Sequence, residues 1–166
     1  NVYADGILTD RVIEQLRIIG NDPFFLCAGY QSPHLPYAVP KKYWDLYDHH
    51  AIIIPERKHP EGMSSYALMT STSAGEVKSY YGIPKSGLLD DETSRNLIHA
   101  YYAAVSMIDA QVGKLLDALE ENGLAENTII VLWGDHGWKL GEYGAWSKHS
   151  NMELDANAPL IISAPG

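Results

Sequence analysis

The chain has a single cysteine, Cys27, among 166 residues. One thiol cannot close an internal disulfide, and no CxxC pair offers thiolates to a structural metal. Cys27 sits in the apolar run Phe24-Phe25-Leu26-Cys27-Ala28 and is expected to be a buried, inert thiol. Long apolar runs are missing too. The longest, Ala51 to Pro55 and Thr128 to Trp133, are strand-sized, far short of the ~20 residues that cross a bilayer. Positive charge is scarce: 12 Lys and Arg against 21 Asp and Glu give a formal charge of −9. That balance argues against nucleic acid or an anionic membrane as partner, since both reward cations. Initiator Met and signal peptide are absent, and the chain runs from Asn1 to Ala164-Pro165-Gly166 directly after an apolar stretch. Both ends are expected to be cuts through a longer protein.

The remaining composition, 46% hydrophobic and 20% charged, is that of a globular domain, one long enough to bury ~70% of its unfolded surface. Thr9 or Asp10 is a candidate N-cap for a helix whose Val12, Ile13, Leu16 and Ile19 recur at helical spacing, with Gly20-Asn21 as its stop. Phe24 to Ala28 then reads as a buried strand. The segment from Gly29 to Pro40 contains three prolines and cannot be regular. From about 48 to 90 no period is sustained. A loop of that length is unusual in a compact domain and often functional, a disordered insertion being the alternative.

The clearest helix begins near Asp91-Glu92-Thr93, where acidic residues suit the dipole, and stops at Asn122-Gly123. Its expected apolar stripe is Leu97, Tyr101, Val105, Ile108, Val112, Leu115, Leu116 and Leu119. Thr128 to Trp133 has the continuity of a strand buried on both faces, and Leu160 to Ser163 is a further candidate strand. The order of elements predicts an α/β fold with a mostly parallel sheet flanked by helices. In such folds function gathers beyond the carboxyl ends of strands, which singles out the loops after Ala28 and after Trp133.

The second of these loops carries the chemistry. Asp135 and His136 leave the strand between Gly134 and Gly137, and glycines let backbone turn sharply and approach a ligand. A carboxylate oxygen and an imidazole nitrogen can share a divalent cation. A turn-capping Asp beside a satisfied His is the alternative for that dipeptide alone. The longer string, Asp135-His136-Gly137, Leu140-Gly141-Glu142, Gly144, Trp146 and Lys148, resembles the second signature of the sulfatases, in the alkaline phosphatase superfamily, at every fixed position. Tyr101-Tyr102-Ala103-Ala104-Val105, Asp109, Val112-Gly113 and Leu115-Leu116 resemble the family helix before that strand. Asn127-Thr128-Ile129-Ile130-Val131 resembles its entry, and Pro159-Leu160-Ile161-Ile162 the strand that follows. With Phe24-Phe25-Leu26, Gly29-Tyr30 and Pro33-His34-Leu35-Pro36, the similarity is greatest to the iduronate-2-sulfatase-like subgroup. It spans most of the chain, the region from about 49 to 90 being unmatched.

The resemblance implies part of an alkaline-phosphatase-like sulfatase domain over residues 1–166, hydrolysing sulfate esters of a sulfated small molecule or saccharide. It implies a formylglycine nucleophile and a divalent metal, calcium above others, with Asp135 and His136 as ligands. Lys148 would place its ammonium on a sulfate oxygen. His34 would contact the sulfate or leaving oxygen, and either could act as general acid. Trp138 is a pocket wall or a packing aromatic, while Glu142 and Trp146 position the loop. His49, His50, His59, His99 and His149 match no motif and are assigned no site role. Sulfatases of this kind act outside the cytosol, in periplasm, lysosome or secretion. No Cys- or Ser-x-Pro-x-Arg string occurs, since Cys27 is followed by Ala28, Gly29, Tyr30 and Gln31. The paired aspartates of the family and the Lys and His that follow its nucleophile are missing as well. These residues are therefore expected to hold half a site, to be inactive alone, and to need the remainder of the sulfatase chain as partner. A phosphodiesterase or phosphonate hydrolase of the same superfamily, or a non-catalytic module derived from a sulfatase, are the alternatives.

Overall fold

The computed structural model describes residues 3–64, 66–67 and 75–166. The chain divides into two compact units. One comprises Asn1–Tyr47, Ala100–Ile130 and Ile162–Gly166, the other Asp48–His99 and Val131–Ile161.

In the first unit, helix α1 runs Ala4–Ile19 and ends at Gly20, whose φ of 59° is left-handed and suits glycine. It begins well before the expected cap at Thr9 or Asp10, with Tyr3 at the N-cap position. Thr9 instead sits inside the helix, fully buried. Its hydroxyl bonds back to the Asp5 carbonyl at 2.9 Å and meets the Tyr30 hydroxyl at 3.0 Å. A threonine satisfied by the preceding turn has the same sequence signature as a capping one. Burial pushes the Tyr30 phenol above its usual 10.0.

Asp5, also buried, holds the loop that carries His34. Its carboxylate accepts the backbone N–H of Gln31 at 2.8 Å and of Ser32 at 3.1 Å. Asp5→Ala would leave two amides without their charged acceptor. The expected cost is about 1–3 kcal/mol in denaturant unfolding, with faster amide exchange at Gln31 and Ser32. Exchange that stays unchanged there would show the loop is held by something else.

The expected strand over Phe24 to Ala28 is not formed: these residues have no regular structure, Phe25 is 93% exposed, and Cys27 is an exposed thiol rather than a buried one. An apolar run becomes a buried strand only with a neighbouring strand and a covering layer, and the described residues supply neither. Further along, α2 (Lys41–Trp44) puts Tyr43 into a small core with Ala103 and Met107. A second core joins Leu16, Ala118, Leu119 and Leu124, with Phe24 and Ile130 packed on its edge.

Both cores are built on the long helix α4, Asp91–Glu121, which starts where its acidic residues predicted. Residues 91–99 of it fall in the second unit and 100–121 in the first. Asp90 precedes it as a cap: its carboxylate accepts the Thr93 N–H at 2.7 Å and the Thr93 hydroxyl at 3.0 Å, and these bonds hold its pKa below the usual 3.8. The buried stripe is offset from the expected one. Ile98, Ala103, Ala104, Met107, Ala118 and Leu119 are buried, whereas Val105 and Leu116 are 44% and 39% exposed.

Strands β1 (Ile130–Trp133) and β4 (Leu160–Ser163) pair with each other. The expectation that β1 is buried on both faces is not met. Val131 and Trp133 are 45% and 63% exposed, and all of β4 is exposed. Among the described residues no layer covers these strands, although their apolar side chains call for one. The result is a mixed α/β arrangement whose described strands form pairs rather than one wide sheet.

In the second unit, β2 (Lys139–Leu140) pairs antiparallel with β3 (Trp146–Ser147), Lys139 opposite Ser147 and Leu140 opposite Trp146. The short helix α3 (Gly75–Ser79) packs on β3. The region from about 49 to 90 is irregular but packed where described, with Ile52, Val77 and Leu89 buried; residues 65 and 68–74 of that region lie outside the described residues. His49 and His99, outside any motif, bring their Nδ1 atoms to 3.1 Å, and His49 Nε2 lies 3.2 Å from Glu92 Oε1. Among the described residues no helix is long and apolar enough to cross a membrane.

Candidate functional site

The loop after β1 owes its shape to backbone contacts that only small residues allow. The Gly134 N–H donates to the Pro159 carbonyl at 3.0 Å and the Gly137 N–H to the Asp155 carbonyl at 2.8 Å. A Cβ on Gly137 would overlap the Leu154 carbonyl oxygen and lie 2.9 Å from that of Asn157. This glycine is required for close approach.

Asp135 and His136 point the same way. Asp135 Oδ2 and His136 Nε2 are 3.6 Å apart, and the Asp135 side chain is 87% exposed. His136 Nδ1 lies 2.7 Å from the Gly137 carbonyl oxygen. A carbonyl only accepts, so Nδ1 donates, and whenever the ring is neutral its lone pair is on Nε2, beside the carboxylate. Two donors each ~2.4 Å from a calcium-sized ion can be up to ~4.8 Å apart, so this pair fits a shared divalent cation. Among the described residues no group of three or more His, Cys, Asp or Glu could hold a metal. A cation held here would need further ligands.

Trp138 and Lys148 complete the cluster. The Trp138 ring stacks on the His136 ring with centroids 6.0 Å apart and planes 22° apart. Lys148 Nζ stands 4.9 Å from the centre of a Trp138 ring, within the range of a cation–π contact. The residues on either side of Lys148, Ser147 and His149, have φ of 68° and 81°. Side chains other than glycine avoid that region, and each such residue costs on the order of 1–3 kcal/mol. The positions of Glu142 and Trp146 match their expected loop-holding part: Glu142 Oε2 accepts the Leu140 N–H at 2.6 Å, and Trp146 is buried with its ring against Gly141.

Two residues that sequence reasoning passed over brace this loop. Lys139 is fully buried, and its ammonium pairs with the Asp155 carboxylate while reaching Ser150 Oγ at 3.2 Å. Asp155 Oδ2 also accepts the Ser150 N–H at 2.8 Å and the Ser150 hydroxyl at 2.6 Å. Together with its carbonyl on Gly137, Asp155 ties the backbone beside His136 to the backbone beyond Lys148. Lys139 occupies a variable position of the string, and Asp155 lies beyond it, so no spacing rule could have paired them. Glu76, from the unmatched region, is a third such residue: its Oε1 is 3.4 Å from Lys148 Nζ.

The second unit thus brings together Asp135, His136, Trp138 and Lys148. His34 belongs to the first unit. Its Nδ1 bonds the Leu35 carbonyl at 2.8 Å.

A family model described as Sulfatase matches residues 1–166. Iduronate 2-sulfatase of Homo sapiens is 38% identical over 148 residues, covering 87% of this chain and 27% of that protein. A phosphonate monoester hydrolase from Silicibacter pomeroyi superposes with a TM-score of 0.79 at 26% identity, covering 99% of this chain and 33% of the other. A protein solved in complex with its substrate D-glucosamine-2-N,6-O-disulfate superposes with a TM-score of 0.77 at 22% identity, covering 98% of this chain and 43% of the other. The chain therefore spans about a quarter to a third of the length of the relative and of the hydrolase it matches.

Proposed function

The chain belongs to the sulfatase family, and from that premise we propose that the full-length protein hydrolyses sulfate esters of a saccharide. The supporting observation is the cluster in the second unit, where a carboxylate and an imidazole 3.6 Å apart adjoin an aromatic ring carrying an ammonium. Sulfate ester hydrolysis asks for neutralisation of an anionic group, a nucleophile aimed at sulfur and a proton for the departing oxygen.

Sulfatases generally use a metal ion. In this reading Asp135 Oδ2 and His136 Nε2 would hold a divalent cation, calcium by the family's habit, which would supply polarisation of the sulfate oxygens. Lys148 binds a sulfate oxygen through its ammonium. Trp138 walls the pocket, limits the directions open to Lys148 and keeps water off the ammonium. His34 or Lys148 delivers the proton to the leaving oxygen. The nucleophile, a formylglycine, comes from outside these 166 residues, which contain no Cys- or Ser-x-Pro-x-Arg string, and the residues 1–166 alone are inactive. They form one part of the catalytic domain, with the region from about 49 to 90 shaping the outer pocket. Glu76 beside Lys148 supports that assignment for the region.

In the full-length protein Lys148→Met is expected to lower kcat/KM for an aryl sulfate about 10²-fold, the loss typical of one donor that stabilises developing charge. Undiminished turnover would remove Lys148 from the site. The similarity to a phosphonate monoester hydrolase supports a second reading, phosphonate or phosphate ester hydrolysis on the same residues. Comparing kcat/KM for matched sulfate and phosphonate monoesters decides between them.

A further inference from the structure

The second unit contains two lysine–carboxylate pairs of opposite construction. Lys139 and Asp155 are fully desolvated and tightly bonded, with Ser150 satisfying the same carboxylate oxygen. Lys148 and Glu76 are 16% and 21% exposed and stand 3.4 Å apart, longer than the ~2.7–2.9 Å of a tight ammonium–carboxylate bond. The first pair is locked. The second pair, a hydrogen bond at the long end of its range, is the looser of the two. Glu76 is placed firmly, because α3 packs on β3 and the adjoining Val77 is wholly buried. Its second oxygen lies 3.9 Å from His149 Nε2.

We propose that Glu76 is a resident anion that the substrate's sulfate displaces from Lys148, and that it thereby sets how tightly sulfate groups are held. This rests on the reading of Lys148 as the sulfate-binding cation. A sulfate arriving at Lys148 gains only the difference between its own attraction and that of the carboxylate it replaces. After the exchange Glu76 keeps its second oxygen 3.9 Å from His149 Nε2, an ion-pair distance when that imidazole is protonated. The same competition acts after hydrolysis: the carboxylate returns to Lys148 and helps expel the inorganic sulfate product. The residue lies outside the 135–148 string, so it is a place where sulfate affinity can be tuned without replacing a residue of that string.

The test is competitive inhibition of aryl sulfate hydrolysis by inorganic sulfate in the full-length protein. Glu76→Gln is expected to lower the inhibition constant about fivefold, the ratio for removing one partly screened competing charge. Glu76→Asp keeps the charge one methylene further back and is expected to fall between Glu76→Gln and the parent protein. In a Lys148→Met background, Glu76→Gln is expected to change nothing, because the contested cation is gone. An inhibition constant unchanged or raised by both Glu76 variants, in a protein where Lys148→Met weakens sulfate, overturns the proposal and leaves the reading of Lys148 standing. Sulfate inhibition indifferent to Lys148→Met overturns both.

Discussion

Lys139→Met is expected to destabilise the fold by about 3–5 kcal/mol. The ammonium it removes is fully buried and neutralises the Asp155 carboxylate, itself 3% exposed. Methionine has the length to fill the space but leaves that carboxylate charged and desolvated, with only the Ser150 donors to satisfy it. The loss is specific to leaving half a pair. Replacing both partners, Lys139→Met with Asp155→Leu, removes the buried charges together and is expected to recover most of the stability, since apolar packing substitutes well for a buried ion pair. Urea midpoints at matched slopes for the parent, the two single variants and the double variant measure this. Additive losses in the double variant would mean the two residues stabilise the protein separately. The double variant should still perturb the site, because Ser150 loses its acceptor and the backbone beyond Lys148 loses its tie.

Gly137→Ala should have an effect of comparable size for a steric reason. The methyl group would overlap the Leu154 carbonyl oxygen and press on that of Asn157. These are backbone atoms of α5 (Glu153–Ala156) and of its C-cap, Asn157, and they cannot swing aside as a side chain would. To admit the methyl group the loop must move away from α5, breaking the 2.8 Å bond from the Gly137 N–H to the Asp155 carbonyl. A cost at or above ~3 kcal/mol, the upper end for an overpacked site, is expected. His136 is the adjoining residue, and its Nδ1 bonds to the Gly137 carbonyl, so divalent-cation affinity of the full-length protein should fall along with stability. Calorimetric titration beside an unfolding curve separates the two. A variant with parental cation affinity and parental stability would contradict the close approach.

Where the sequence was legible, the information was local. The helix starting at Asp91 is written in the acidic first turn and the Asn122-Gly123 stop, both within a few residues of the positions they determine. The Asp135–Lys148 string is likewise one continuous segment, and its residues do gather. The failures all depend on partners distant in sequence. Thr9 looks like a cap until Tyr30 is seen beside it. Asp155 and Glu76 are ordinary acidic residues until β2 and β3 bring a lysine to each. The runs Phe24–Ala28 and Thr128–Trp133 have the apolar composition of buried strands, yet both are largely exposed, because burial needs a layer that the described residues do not provide. Apolar content records what a segment requires, whereas exposure records what surrounds it.

The left-handed residues flanking Lys148 bear on which substitutions this protein tolerates. Glycine at 147 or 149 would relax a backbone that Ser147 and His149 must otherwise hold at positive φ, and on stability alone such a change is favourable. It would also free the peptide units on either side of the lysine to rotate. Under the role proposed for Lys148, selection for a durable fold and selection for a well-aimed ammonium therefore pull in opposite directions at these two positions. A laboratory search for thermostable variants that ignored turnover should find glycine there early, and pay for each degree gained in lost catalytic efficiency.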